Sequence, residues 1–347
     1  MNSRYLTLAA LLGLMVASQA HAAYDTVYEL SGTKHNGKVT SMTPDEVTVT
    51  RGGLSSTVAV NLISYISFDT EPLTLRTARK HVRDGRFEDA VALIEKIKAK
   101  VDAGTRGEVV QDIAYYEALA RGQMAIGGSA DHSLGGAAKM MLNFVKENPD
   151  NFHYYQACQT LGQLATALGS YPTAIKYYKR VGNAPWKDYK MRAMVGIGQA
   201  NLAQKSYAEA LTWFERAIKR AGTDAESQRA RRSCVLGKAR ALAATGKIDA
   251  SIQLVNTVLG AAGVDERVLL AQAYTTLGDC YRKSNKPKEA VLEFLKVDLL
   301  YNTHPDSHAE ALSNLVELWT QLNQRDRSVK ARKMLQSYYP KSRFAAK

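Results

Sequence analysis

The sequence predicts a mainly α protein, an α-solenoid of about seven helical hairpins preceded by a small all-β module that resembles a barrel. Three observations predict it. Residues 24–70 form short segments rich in Val, Ile, Thr and Tyr, separated by turn residues. Beyond Leu73 this pattern stops and an internal repeat begins. The prolines beyond that point fall at predicted turns or first helical positions, where a missing N–H group costs nothing.

The first residues read as a leader that is removed from the mature protein. Arg4 gives a short positive region, residues 6–18 are apolar, and Ala20-His21-Ala22 has the small-x-small pattern of a cleavage site. The apolar run is too short to cross a bilayer, which takes about 20 residues. We therefore expect a signal peptide at 1–22, cleavage after Ala22, no transmembrane segment, and a periplasmic or secreted mature chain.

The β module is expected at residues 23–72. Its turns carry Ser31-Gly32, Thr43-Pro44-Asp45 and Gly52-Gly53. Five strands in so short a segment favour a closed barrel, because closure removes exposed strand edges. The predicted strands are 26–30, 37–42, 46–51, 56–60 and 63–68. The run resembles an SH3-like or Sm-like barrel, and Pro72 marks its end.

The helical repeat domain is expected at residues 73–347. A large residue followed by glycine in one helix, then alanine and an aromatic residue in the next, recurs three times. The three copies are Leu161-Gly162 with Ala174 and Tyr178; Ile197-Gly198 with Ala210 and Phe214; and Leu277-Gly278 with Ala290 and Phe294. Weaker copies contain Ala90, Met141, Ala250 with Leu254, and Leu335. A single hairpin cannot bury its apolar face alone, so such units stack into a continuous core, with small residues where helices approach closely.

These spacings resemble the tetratricopeptide repeat (TPR) family, although the units recur at intervals somewhat longer than the family's roughly 34 residues. The resemblance implies a right-handed superhelix whose first helices line a concave binding face. Carried over position by position, it predicts partner-binding residues Gln159, Gln163, Arg192, Gln199, Arg232, Gln272 and Arg282. Further concave positions are Gln156, Thr166, Val195, Val235, Thr275, Asp279, Glu310, Ser313 and Glu317. The fifth unit's register is uncertain by one residue, and the family's Lys and Asn clamp for carboxylates is missing.

Charge divides the chain unevenly. The formal net charge is +13, yet the β module holds three basic residues against six acidic ones. A basic corner is predicted at Arg216, Lys219, Arg220, Arg229, Arg231 and Arg232. Such a surface can either hold an anionic polymer or lipid, or serve only as a solvated exterior. Export argues against a nucleic-acid partner.

Chemical motifs are weak throughout. His304 and His308 are four residues apart, but Pro305 places the first before a helix, and no third metal ligand follows. Asp131-His132-Ser133 has the three residue types of a hydrolase triad, but adjacent residues cannot form triad geometry. Cys158, Cys234 and Cys280 are odd in number and widely spaced, so we expect buried free thiols. The sequence thus predicts no enzyme activity and no metal or cofactor.

The leading interpretation is a non-catalytic scaffold of the cell envelope that holds a peptide or protein partner. It resembles the repeat scaffolds of outer-membrane assembly and Tol–Pal systems. The alternative is a binder of anionic envelope polymer or lipid that uses the basic corner.

Overall fold

A computed structural model describes residues 24–128 and 133–345. The predicted leader lies outside the described residues, and so do Asp131 and His132. None of the described helices is long and apolar enough to cross a bilayer.

The N-terminal module is an antiparallel sheet of five strands, as predicted. The strands are β1 (Asp25–Glu29), β2 (Lys34–Met42), β3 (Glu46–Arg51), β4 (Leu54–Ala59) and β5 (Ile63–Ser67). Their order in the sheet is β4-β3-β2-β1-β5, and a short 3-10 turn at Val60–Leu62 leads from β4 into β5. Pairing within the described residues therefore leaves β4 and β5 as the two ends of the sheet, where the sequence led us to expect a closed barrel.

Fourteen helices follow in the described residues, and they form the seven predicted hairpins. They are α1 (Leu73–Arg83), α2 (Phe87–Lys98), α3 (Gly107–Ile126), α4 (Leu134–Glu147), α5 (Tyr154–Ala167), α6 (Tyr171–Val181), α7 (Lys187–Ala203), α8 (Tyr207–Arg220), α9 (Ala225–Ala244), α10 (Ile248–Ala261), α11 (Arg267–Lys283), α12 (Pro287–Leu300), α13 (Pro305–Gln321) and α14 (Arg325–Tyr338). Odd-numbered helices are the first helices of their pairs, and even-numbered helices are the second.

Aromatic side chains of the second helices lock the pairs together. Tyr178 of α6 is buried between two glycines: a methyl group at Gly162 of α5 would lie 2.8 Å from its ring, and one at Gly196 of α7 only 2.4 Å. Phe214 of α8 lies in the same way between Gly198 of α7 and Gly237 of α9, at 2.6 and 2.4 Å. Each ring thus contacts its own first helix and the next one, which confirms the predicted role of Gly162 and Gly198.

The fifth pair is displaced by one residue from the predicted register. Ser251 is fully buried at the position predicted for Ala250, which is exposed. The Ser251 hydroxyl donates to the Ala239 carbonyl oxygen at 2.8 Å, so the polar group is satisfied at this close approach. Val255 likewise takes the core position predicted for Leu254.

The β module packs directly onto the first helix pairs, and a single hydrophobic core includes Val27 and Ile66 of the sheet together with Leu75 and Val109 of the helices. Pro72, which precedes the first residue of α1, therefore marks a change of secondary structure within a continuous core.

Ion pairs fasten the same junction. Arg106 donates to the buried Asp25 carboxylate at 2.7 Å. Arg79, 1% exposed, donates to Glu71 and to Asp112 of α3, each at 2.7 Å. Three of the module's six acidic residues, Asp25, Asp69 and Glu71, thus pair with basic residues of the helical domain.

All three cysteines are buried and unpaired, as predicted. Burial raises the pKa of Cys158 to about 11 and that of Cys234 to about 12. These thiols are therefore protonated at neutral pH and are poor nucleophiles.

Candidate functional site: the groove face

The first helices of successive pairs contact one another, because α5 packs on α7, α7 on α9, α9 on α11, and α11 on α13. Each second helix packs on its own first helix and on the next first helix. The first helices therefore form one row, and the side chains that this packing leaves unburied form a continuous surface. We call the unburied side chains of α5, α7, α9, α11 and α13 the groove face.

Four predicted glutamines lie on the groove face. Gln159 and Gln163 of α5 and Gln272 of α11 are half-buried, and Gln199 of α7 is exposed. Within the described part of the chain, none of these four side-chain amides makes a hydrogen bond to another residue. Each amide therefore keeps an oxygen acceptor and two N–H donors for a ligand.

The three predicted arginines have intramolecular partners, which sequence analysis did not anticipate. Arg232 pairs with Glu266 at 2.6 Å. Arg282 pairs with Asp279 at 2.6 Å, one turn away on the same helix. Arg192 lies 3.6 Å from Asp188, also one turn away. Each of these arginines therefore already faces a carboxylate of its own chain, and its contact with a partner stays a prediction.

Two other predicted concave positions are inside the core. Thr275 is buried, and its hydroxyl donates to the Ala271 carbonyl oxygen at 2.8 Å. Ser313 is buried as well. On α13 the unburied stripe contains Glu310, Asn314 and Glu317.

Sequence analysis missed Arg240 of α9, which reaches across the groove face. Its guanidinium donates to Glu310 of α13 at 3.2 Å, although the whole sixth helix pair, α11 and α12, lies between the fifth and seventh pairs in the order of the chain. The Glu310 carboxylate raises the pKa of Arg240 above its ordinary value, and Asp306 and Asp279 act in the same direction. Arg240 thus links the fifth pair to the seventh across the groove face.

The one-residue displacement of the fifth pair explains why Arg240 was overlooked. Gly237 faces Phe214 as Gly196 faces Tyr178, and this alignment puts Arg240 where the preceding pair has Gln199. Aligning the fifth unit on Gly237, instead of on Ala250, would have found it.

The turn that follows α3 lies against the last helix pair. A methyl group at Gly127 would lie 3.7 Å from Pro305 at the start of α13, and one at Gly128 would lie 3.8 Å from the backbone nitrogen of Ser342. The second and seventh pairs therefore meet at this turn.

The two candidate histidines serve the fold. His304 caps α13 by accepting a hydrogen bond from the Ser307 backbone N–H, and burial lowers its pKa. His308 is buried between Asp298 and Tyr339, with contacts of 2.8 Å to each. Over residues 24–128 and 133–345 no three His, Cys, Asp or Glu side chains gather as a metal site would require.

The predicted basic corner is partly neutralised. Arg229 pairs with Asp265 at 2.7 Å, and Arg232 pairs with Glu266. Arg216 lies over the Trp213 ring, 5.1 Å from its centroid. The corner therefore offers less free positive charge than its sequence predicts.

Seven stacked hairpins and an inner row of first helices define the class of protein: an α-solenoid of the kind that serves as an interaction scaffold. Within that class the chain contains tetratricopeptide repeats. Residues 160–225 and 271–304 match models of that family. Among proteins of curated function, none matches the chain.

Solved structures share the fold at low sequence identity. A Rap protein complexed with competence and sporulation factor is 16% identical, with a TM-score of 0.56 over 78% of this chain and 76% of that one. A tetratricopeptide repeat protein from Parabacteroides merdae is 15% identical, with a TM-score of 0.51 over 76% of this chain and 91% of that one. NprR in complex with its cognate peptide NprX is 11% identical, with a TM-score of 0.50 over 76% of this chain and 77% of that one.

Proposed function

We propose that this protein is a non-catalytic scaffold of the cell envelope that holds an extended peptide segment of a partner protein against the groove face. The observation that carries the proposal is the set of four glutamine amides at Gln159, Gln163, Gln199 and Gln272, which have no hydrogen-bond partner among residues 24–128 and 133–345. A half-buried amide without a protein partner has hydrogen-bonding groups that a ligand can bind directly in place of solvent water.

An extended peptide suits these amides in chemistry and in spacing. A peptide backbone offers alternating N–H donors and C=O acceptors, which a glutamine amide complements with both of its groups. Residues four apart on a helix, such as Gln159 and Gln163, are separated by about 6 Å along its axis. Alternate residues of an extended strand are about 6.7 Å apart. One glutamine pair can therefore contact two alternate residues of a bound strand.

One of the structures that share this fold supports a peptide ligand by analogy. NprR was solved with its cognate peptide, and the Rap protein was solved with competence and sporulation factor. At these identities the likeness concerns the fold, so the ligand class for this chain depends on its own groove residues.

The proposed place of action rests on residues 1–22, whose basic, apolar and small-residue regions follow the order of an export signal. Expression of the full chain in a bacterial host, followed by fractionation and mass spectrometry, tests this directly. We expect the protein outside the cytoplasm with Ala23 as its first residue. An uncleaved chain confined to the cytoplasm would refute export.

The groove itself is tested with a displayed library of unstructured peptides. Gln163→Ala/Gln199→Ala removes two groove amides, and Gln253→Ala/Gln336→Ala removes two exposed amides from the second helices α10 and α14. For a peptide selected on the unmodified protein, we expect the groove variant to bind at least about tenfold more weakly. The reason is that each amide removed takes one or two hydrogen bonds from the complex. The control variant should bind as before. Equal binding by both variants would exclude the groove as the docking site.

A further inference from the structure

The last helix and the residues after it carry a run of positive charge that is largely unpaired among the described residues. From Asn323 to Ala345 the chain has seven basic residues and one acidic residue, Asp326. The basic residues are Arg325, Arg327, Lys330, Arg332, Lys333, Lys341 and Arg343, and all seven are exposed.

Four of these cations have neither a carboxylate within ion-pair distance nor an aromatic ring beneath them in the described part of the chain: Arg325, Lys330, Arg332 and Lys333. Arg327 also lacks such a carboxylate, but its guanidinium lies over the Trp319 ring, 4.8 Å from the centroid. The basic corner differs in this respect, because Arg229 and Arg232 there are paired with acidic residues. On α14 the buried residues Ser328, Ala331 and Leu335 recur along the stripe that packs on the protein, so the four cations point across the opposite, solvent-facing side.

The arrangement of the cations indicates a broad anionic surface as their partner. Arg325, Lys330, Arg332 and Lys333 spread over the whole exposed width of the helix and do not converge on a pocket. Val329, which is 45% exposed, lies among them. A site for a single phosphate or carboxylate gathers its donors around one point. At a layer of anionic lipid headgroups, by contrast, each nearby basic side chain contributes a similar binding free energy, whatever its position on the helix.

We propose that the outer face of α14 docks this protein on bilayers that carry anionic phospholipid headgroups. The helix remains folded on the protein, because Ala331 and Leu335 are already buried there, and charge attraction holds the protein at the bilayer surface. This surface is separate from the groove face, so the protein can hold a partner and lie on a membrane at the same time.

The test is cosedimentation of the full mature chain with vesicles. We expect binding to vesicles of phosphatidylcholine mixed with phosphatidylglycerol, no binding to phosphatidylcholine alone, and a steep loss of binding as salt is raised. Lys330→Gln/Arg332→Gln/Lys333→Gln should weaken binding to the anionic vesicles about a hundredfold, since each basic residue near such a surface contributes roughly fivefold. Glutamine favours helices, so circular dichroism should show the fold unchanged.

A matched control separates the helix from total charge. Lys219→Gln/Arg220→Gln/Arg231→Gln removes three exposed cations from the basic corner, and its binding should change by only a few-fold. Arg325→Lys/Arg332→Lys keeps the charge but loses the bidentate geometry, and it should bind as the unmodified chain does.

Three results would overturn the proposal. Equal loss in the α14 and corner variants would mean that net charge alone drives binding. Strong loss in the Arg→Lys variant would mean a geometric anion pocket. Retention on polyglutamate with no binding to anionic vesicles would mean an acidic protein or polymer as the partner.

Discussion

The contact between Gly196 and Tyr178 gives the sharpest test of how the helix pairs are held together. Gly196→Ala would place a methyl group 2.4 Å from two carbons of the Tyr178 ring. Non-bonded carbons prefer a separation of about 3.5–4.0 Å, so more than 1 Å must be relieved. The ring cannot retreat, because Gly162 of α5 bounds its other face. Helix α7 must therefore move away from α6.

The magnitude follows from two opposing effects. Overpacking of a close-packed core costs about 1–3 kcal/mol, and a ring held on both sides favours the upper part of that range. Alanine in place of glycine within a helix stabilises the helix by up to about 1 kcal/mol. We therefore expect Gly196→Ala to lower the free energy of unfolding by about 1–2 kcal/mol.

Urea unfolding followed by far-ultraviolet circular dichroism measures this effect. Gly260→Ala on α10 is the matched control, because a methyl group there would meet no atom within 4 Å. The control should be unchanged or more stable by up to about 1 kcal/mol. A Gly196→Ala protein as stable as the control would refute the idea that this close approach positions the helices.

Three further outcomes are expected. Arg79→Met should lower the free energy of unfolding by about 3–5 kcal/mol in the same assay, since it leaves the buried Glu71 and Asp112 carboxylates without their cation; a loss below 1 kcal/mol would contradict this role. Burial alone raises the pKa of Asp112, but Arg79 and a neighbouring histidine outweigh it and hold the pKa below its ordinary value. The stability that ionised Asp112 contributes is therefore present above about pH 4 and is lost as the pH falls through the lowered pKa. The melting temperature of Asp112→Asn should depend less on pH in this acidic range than that of the unmodified protein. Equal pH dependence of the two proteins would refute this role of Asp112. The raised pKa values of Cys158 and Cys234 predict no reaction with iodoacetamide in the native state at pH 8 and full reaction in urea, as mass spectrometry can show; rapid native labelling would contradict their burial.

The architecture could be predicted from the sequence because small and large residues recur at fixed spacings in each repeat. Gly162 and Gly198 can be recognised from spacing alone, since only a residue without a side chain admits the aromatic ring of the second helix. The strand segments were recoverable for a similar reason, because β-branched residues and turn residues alternate at short intervals.

The register of the fifth pair was not recoverable from the signal used. Ala250 and Ser251 are both small, and the choice between them depends on which one faces α9, where the Ser251 hydroxyl finds the Ala239 carbonyl oxygen. That one-residue error hid Arg240.

Charge was the least predictable property. The sequence gives the number of arginines but not their partners, which come from distant positions. Arg232 and Glu266 are 34 residues apart, and Arg240 and Glu310 are 70 apart. Because such distant partners cannot be read from the sequence, the acidic β module looked like an independent surface. In the structure Asp25 forms an ion pair with Arg106 of the helical domain.

The most direct test of the groove-binding account is site-specific photo-crosslinking with a peptide selected from the displayed library. A photoreactive residue at Gln163 or Gln272 on the groove face should crosslink the peptide, whereas the same residue at Gln253 on α10 should not. Efficient crosslinking from Gln253 with none from Gln163 or Gln272 would place the ligand on the outer face of the superhelix and contradict the proposed function.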